Sequence, residues 1–343
     1  MSEFKSNLKV GDKIGNGHFG QVHAAEDPAH GQVAVKILRR NATLDDALWA
    51  RYRKEHLGEA QKLSRAQHRN VVKVHYVVEA DDGNSILICM DFCAGGSLQA
   101  QFERRPMTLG DVKRVATQVL HGLSALHKRG MLHRDIKPAN ILIDGSGVAQ
   151  LGDFGLVTDE LVLGYGSQAG YADHIAYEVW HGAGTSTKTD IWALGMTLYR
   201  LLHGEAWYQE SPTPKLVVRD GDFSEKLRWL PHIPKEWRRF VRKMLTDDPS
   251  RRYQNAQQAL NGIASLLTDY TWSTDITPER IKWERSKGQR TIHAEWERIS
   301  ARKHRWRAWS EPLSSGRQRK LDGSDGIVGR HDAEKGLHGF LCP

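Results

Sequence analysis

Cysteine is scarce in this chain. Cys89, Cys93 and Cys342 are the only three among 343 residues. An odd count without metal-ligand spacing implies neither a disulfide framework nor a zinc site, so a reducing cytoplasm is the natural setting. Long apolar runs are missing as well. No stretch of eighteen apolar residues exists to cross a bilayer, which argues against a membrane partner. Met1-Ser2-Glu3-Phe4-Lys5 lacks the apolar core of a secretion signal. Neither charge sign dominates: 49 Lys+Arg stand against 41 Asp+Glu, a net charge of +8. A mild basic surplus favours acidic partners such as nucleotides or nucleic acid, but it more often describes a solvated surface. With 39% hydrophobic and 26% charged residues, the chain reads as a globular protein, long enough for one enzyme-sized unit and a modest extension.

Hydrophobic patterning divides what is present. Residues 8–38 alternate apolar and polar with glycines at a turn, which predicts a twisted hairpin and a third strand. Residues 43–66 carry Leu48, Tyr52, Leu57 and Leu63 at loosely helical spacing. Segments 70–78 and 85–92 read as two more strands, joined by the turn-rich 80–84. Ala94-Gly95-Gly96-Ser97 is a flexible connector, and the pattern beyond it turns helical at 109–129, 189–203, 234–245 and 255–267. After residue 268 a Trp-Glu-Arg triplet recurs at Trp283 and Trp296; a hairpin, or a short charged helix for the second copy, fits equally. From residue 314 the chain is poor in large apolar groups and is expected to be disordered.

The richest segment is His133-Arg134-Asp135-Ile136-Lys137-Pro138-Ala139-Asn140, followed thirteen residues later by Asp153-Phe154-Gly155. It sets a carboxylate base, a cation and two oxygen ligands at fixed spacing. Phosphoryl transfer from a nucleotide needs that set: a group to orient the incoming hydroxyl, charge to meet the transferring phosphate, and oxygens for magnesium.

Further motifs stand around it in order. They are Gly15-Asn16-Gly17-His18-Phe19-Gly20-Gln21-Val22, Val33-Ala34-Val35-Lys36, Asp190-Ile191-Trp192-Ala193-Leu194-Gly195 and Asp248-Pro249-Ser250-Arg251-Arg252. Together they resemble the eukaryotic-like (Hanks-type) serine/threonine protein kinases, including soluble and bacterial members. The resemblance covers roughly residues 8–268. It implies an α+β, two-lobed protein kinase fold, with a five-stranded antiparallel N-lobe sheet and one main helix over about 8–92. A hinge follows at about 93–97, then a mainly α C-lobe at about 98–268. Residues 269–313 would be a basic, Trp-rich extension and 314–343 a disordered tail. Many bacterial receptor kinases carry a membrane helix after this domain; this chain has none, so any signal it senses is expected to be intracellular.

The resemblance also implies roles. ATP and Mg2+ are the expected cofactors, and a protein of unknown identity the substrate. Asp135 would accept or orient the hydroxyl proton, Lys137 meet the phosphate, and Asn140 and Asp153 bind magnesium. Gly15, Gly17 and Gly20 would let a hairpin lie over the phosphates, with Val22 and Ala34 on one adenine face and Leu142 on the other. Met90 would gate the pocket, and backbone groups of Asp91 and Cys93 would bond the adenine edge. Lys36 would hold the α- and β-phosphates and pair with Glu59, nine residues before His68; Glu55 is the alternative. Arg134 would read a phosphate on Ser167. Glu178 would pair with Arg252, and Asp190 is expected to be structural. Lysine two residues after Asp135 is the serine/threonine pattern.

Two departures stand out: Ala176-Tyr177-Glu178 replaces Ala-Pro-Glu, and Gly170-Tyr171 replaces Gly-Thr. They bear on the protein-substrate site, not the nucleotide site. A pseudokinase or scaffold is the main alternative, but such chains usually lose the lysine, base or metal aspartate that this one keeps. A small-molecule kinase of similar fold would usually lack the Asp-Ile-Trp and late-arginine motifs. For the extension, 15 Lys+Arg against 10 Asp+Glu over residues 270–343, with Trp272, Trp283, Trp296, Trp306 and Trp309, raise single-stranded nucleic acid as a less favoured partner. Packing on the catalytic unit or docking a protein are the other readings.

Overall fold

Alternation in the first forty residues folds as antiparallel strands. In this computed structural model, residues 8–17, 20–40, 45–47, 49–51, 53–54, 58, 67–80, 83–153, 172–210 and 218–343 are described. Strands β1 (Lys9–Gly17), β2 (Gly20–Asp27), β3 (Gly31–Arg39), β4 (Val74–Glu79) and β5 (Ser85–Asp91) form one sheet in the order β1-β2-β3-β5-β4. The β2–β3 turn is tied by Asp27, whose Oδ1 accepts the N–H groups of Ala29 and His30 at 2.9 Å each. Gly31 leaves that turn at φ 71°, a left-handed conformation that glycine adopts without Cβ strain. Val33, Ala34, Val35 and Lys36 are all buried, so the central strand is covered on both faces. The described residues at 46–58 are helical, and Trp49 there donates its indole N–H to Gly83 O at 2.9 Å.

The fourth strand starts later than the pattern suggested. Asn70 and Val72 turn away from the sheet toward residues 149–151: Asn70 Nδ2 bonds Ala149 O at 3.0 Å, and Val72 N–H bonds Leu151 O at 2.9 Å. Residues 92–97 cross to the helices beside β6 (Ile141–Ile143), which pairs with β7 (Ala149–Leu151). Gly95 and Gly96 bond Ile143 through N–H and C=O, both within 2.9 Å. A Cβ at Gly95 would lie 2.7 Å from Ile143 Cγ2, so the close crossing needs glycine there.

The helical part includes the four expected segments. It contains α1 (Leu98–Arg104), α2 (Leu109–His127), α3 (Tyr177–Trp180), α4 (Thr187–Tyr208), α5 (Phe223–Lys226), α6 (Lys235–Met244) and α7 (Ala256–Ala264). Thr108 caps α2 by accepting Asp111 N–H at 3.2 Å, and Ser186 with Thr189 forms a capping box on α4. Helix α4 is buried along nearly all its length; α1, α2 and α6 pack on it, and α7 packs on α2. Gly204, at φ 69°, breaks its last turn.

The C-terminal seventy residues hold a second sheet. Strands β8 (Ser273–Ile276), β9 (Arg280–Lys287), β10 (Arg290–Arg298), β11 (His304–Pro312) and β12 (Arg319–Gly323) run as an antiparallel meander, and α8 (Arg330–Leu341) packs on β10 and β11. Of the two readings of the repeated triplet, the hairpin is the one formed: β9 pairs with β10 and sets Trp283 opposite Ala294. The expectation of disorder over 314–343 is overturned. Ala333, Leu337 and Leu341 recur at helical spacing and are fully buried against the tryptophan face. The segment is poor in apolar groups because its partners, Trp296 and Trp306, come from other strands. Gly336 lets the helix close on them, since a Cβ there would meet the Trp306 ring at 2.8 Å.

This packing buries four of the five tryptophans that stacking on a nucleic acid would use. Trp272, Trp283, Trp296 and Trp306 are each no more than 6% exposed. Trp309 lies on the outer face, stacked on His293 at 5.1 Å. Three arginines on that face are matched by acids: Arg307 and Arg280 with Glu295 at 2.9 and 3.6 Å, and Arg305 with Glu297 at 2.6 Å.

Candidate active site

Between the first sheet and the helices lies a cavity of about 470 Å³. Its apolar walls come from Ile14, Val22 and Ala34 on the sheet side, Met90 on β5, and Leu142 on β6. Gly15, Asp91 and Cys93 line the rim, and Asp135, Lys137, Asn140 and Asp153 gather at one end. Ile14, Ser97 and Gln99 also line it and were not anticipated; Ile14 stands beside Gly15, while Ser97 and Gln99 enter because the connector turns directly into α1.

The polar end is built by short bonds. Lys137 Nζ donates to Asp135 Oδ2 at 2.8 Å. Asn140 Nδ2 donates to the same oxygen at 2.7 Å and to Asp135 O at 2.8 Å. Lys36, 1% exposed, pairs with Asp153 Oδ1. An ammonium shut off from water is stable only with such a partner. Asp153 and Arg134 both hold left-handed backbones, φ 58° and 67°, which a non-glycine residue adopts at a cost.

Asp190 of α4 underwrites that strained backbone. Its carboxylate accepts the N–H of His133 at 2.9 Å and of Arg134 at 2.8 Å, and bonds His127 Nε2 at 2.8 Å. Burial alone would raise the Asp190 carboxyl, but these hydrogen bonds and the neighbouring imidazoles outweigh it and hold the group below the usual range. His133 links the two loops: Nδ1 accepts Asp135 N–H at 3.3 Å, and Nε2–H donates to Gly152 O at 3.1 Å. Burial keeps its ring neutral by lowering the pKa, as one accepting and one donating nitrogen require.

Other expected residues fall as follows. Glu178 forms a bidentate pair with Arg252 at 2.7 and 2.6 Å, and Arg252 lies over the Trp192 ring at 4.9 Å. Asp91 pairs through its side chain with His75 at 2.8 Å. Burial pushes the Cys93 thiol up to about 11, and Sγ faces Gln150 Oε1 at 3.5 Å, so this is an inert cysteine. Gly20 is required for packing as well: a Cβ there would meet Ile37 O at 2.2 Å. Gly17 ends β1 opposite Gly20. Arg134 Nε bonds Thr185 Oγ1 at 2.9 Å. Tyr177 meets the His181 ring at a tilt, with centroids 4.1 Å apart. Glu55, Glu59, Ser167 and Tyr171 lie outside the described residues.

An apolar slot ending in a lysine, two carboxylates and an amide suits a flat heteroaromatic ring with an anionic tail. The family model described as protein kinase domain matches residues 8–262. The chain belongs to the protein kinase domain family. Among its curated relatives, serine/threonine-protein kinase PrkC of Bacillus subtilis is 29% identical over 251 residues, 71% of this chain and 38% of PrkC. Cytokinesis protein sepH of Emericella nidulans is 37% identical over 227 residues, 64% of this chain and 16% of its own. The probable serine/threonine-protein kinase PknB of Lactococcus lactis is 25% identical over 272 residues, 76% and 42% of the two chains. The kinase domain therefore spans less than half the length of each of these relatives. Among the described residues, no helix is long and apolar enough to cross a membrane.

Proposed function

We propose that the chain is an ATP-dependent serine/threonine protein kinase, transferring the γ-phosphate of ATP to protein hydroxyls, its own among them. The observation that carries this is the meeting of Asp135, Lys137, Asn140 and Asp153 at one end of an apolar slot, with Lys36 paired to Asp153. The catalytic unit is read as residues 8–268 in two lobes joined at 93–97, in a cytoplasmic setting that its free cysteines suit.

Adenine takes the slot between Val22 and Ala34 on one side and Leu142 on the other, with Met90 behind it. Backbone groups of Asp91 and Cys93 bond its edge. Gly15, Gly17 and Gly20 cover the phosphates, and Lys36 binds them, with Glu59 as its helix partner. The donor set fits a hard cation: Asn140 commits its amide nitrogen to Asp135, which leaves its oxygen for a metal, and Asp153 adds a carboxylate. Mg2+ held there would neutralise charge developing on the phosphates. Asp135 takes the hydroxyl proton as the oxygen attacks the γ-phosphorus and the bond to the ADP oxygen breaks. Lys137 meets the charge on the phosphoryl group. Ser167, read by Arg134, is the proposed activating phosphosite; full activity of Ser167→Ala would remove it from the scheme.

The test is to incubate the purified protein with Mg-ATP and map phosphorylated residues by mass spectrometry. Asp135→Ala should lower the rate by about a hundredfold or more. Equal phosphorylation by this variant and wild type, with contaminating kinase excluded, overturns the reading.

A further inference from the structure

Beside the loop that carries Asp135 and Lys137 stands a histidine that the scheme above does not use. His174 ends a 3-10 turn, Ala172–His174, and its Nδ1 lies 2.8 Å from Ile136 O. A ring nitrogen facing a carbonyl must carry the proton, so Nδ1–H donates. Ile136 lies between Asp135 and Lys137 in sequence, and its own side chain is fully buried. The bond therefore fixes the Ile136–Lys137 peptide, which leads directly into Lys137 and follows Asp135 by one residue. Desolvation pushes the His174 pKa down to about 4, against the pull of Asp173 and with the help of Arg200 and Lys137. The ring is thus a neutral donor with a defined tautomer at working pH.

The turn is itself clamped. Asp173 has no exposed surface, and Arg200 reaches its carboxylate with Nη2 at 3.1 Å and Nε at 3.3 Å. The Tyr208 hydroxyl donates to Asp173 Oδ2, and Trp192 Nε1 donates to Asp173 O at 2.9 Å. The Arg200 guanidinium lies over the Tyr208 ring at 4.4 Å and the Phe102 ring at 5.5 Å. Trp192, Arg200 and Tyr208 all belong to α4, the helix that supplies Asp190. One buried helix thus holds the loop on both flanks: Asp190 before Asp135, and the Asp173–His174 turn after it.

We propose that His174 is a positioning residue for the catalytic loop, held in place by Asp173, Arg200 and Tyr208. The inference rests on the kinase reading. Phosphoryl transfer by positioned charges loses about a hundredfold when a group is displaced by about 1 Å, so releasing Ile136 O should show in turnover rather than in nucleotide binding.

The experiment uses the full chain. Wild type, His174→Ala, His174→Asn and Tyr208→Phe are compared for kcat, KM for ATP and melting temperature. His174→Ala should lose about ten- to a hundredfold in kcat with KM for ATP within about twofold. His174→Asn places an amide N–H where Nδ1–H stood and should restore most of the loss. Tyr208→Phe should lower kcat by a smaller factor, and its effect should not add to that of His174→Ala. Wild-type kcat in His174→Ala overturns the proposal. So does a loss that follows melting temperature alone and is not restored by asparagine. Absence of transfer by the wild-type protein overturns the kinase reading, and this inference with it.

Discussion

At the scale of single residues, Lys36 and Asp153 show how much chemistry rests on one buried contact. Lys36 is held at 1% exposure by that carboxylate. Lys36→Met keeps chain length and removes the charge. Its melting temperature should stay within a few degrees of wild type, because Asp153 retains 26% side-chain exposure and can be hydrated. Phosphoryl transfer should nevertheless be largely lost, measured as ATP turnover. A large fall in melting temperature would make Lys36 a structural residue instead. Asp135, Lys137 and Asn140 were legible in the sequence because their spacing is local: they lie within six positions. His174 was not. Its contact with Ile136 spans 38 residues, and the Asp173–Arg200 pair spans 27; no periodicity marks such a pairing.

At the scale of elements, two contacts decide how helices meet. Arg252 joins the segment after α6 to α3 through Glu178, and it is fully buried. Removing one partner of a buried pair leaves the other charge uncompensated, so Glu178→Ala should cost about 3–5 kcal/mol in chemical denaturation. The second contact is the crossing of α4 and α6 at Gly195. A Cβ there would sit 2.8 Å from Met244 Cβ. Gly195→Val should therefore destabilise by about 1–3 kcal/mol or more through overpacking, read from the same denaturation curves. The alternating strands and the long helices could be read from sequence, since period 2 and period 3.6 are visible in one segment at a time. Helix α8 could not, because the apolar surface that justifies it belongs to β10 and β11.

At the scale of the whole molecule, the second sheet is joined to the helices by aromatic contacts. Trp283 Nε1 donates to His232 Nδ1 at 2.9 Å, Trp296 meets Trp207 at 6.4 Å, and Arg298 pairs with Glu210. Burial and nearby Arg238 hold His232 down to about 3, and burial does the same for His203. The unfolded chain then binds more protons than the native one between about pH 6.5 and 3. Stability from these histidines is complete above that window and is lost as pH falls through it, at about 1.4 kcal/mol per pH unit for each. His232→Gln should flatten the acid limb of the stability profile by one proton's slope, measured by denaturation at pH 7, 6 and 5. A chain ending at residue 268 would uncover Trp207 and His232; it should melt lower than the full chain or aggregate, as light scattering would show.

Sequence by itself marked the proposed catalytic residues, the five-stranded first sheet and the α2, α4, α6 and α7 segments. In each case the information lies within a few residues, in a spacing, an alternation or a turn. Tertiary structure alone decided that the last thirty residues fold, that four of the five tryptophans of the extension face inward, and that α4 grips the loop around Asp135 from both sides. Burial of an indole, or the partner of a buried carboxylate, depends on which surface arrives from elsewhere in the chain. Only the closed core specifies that.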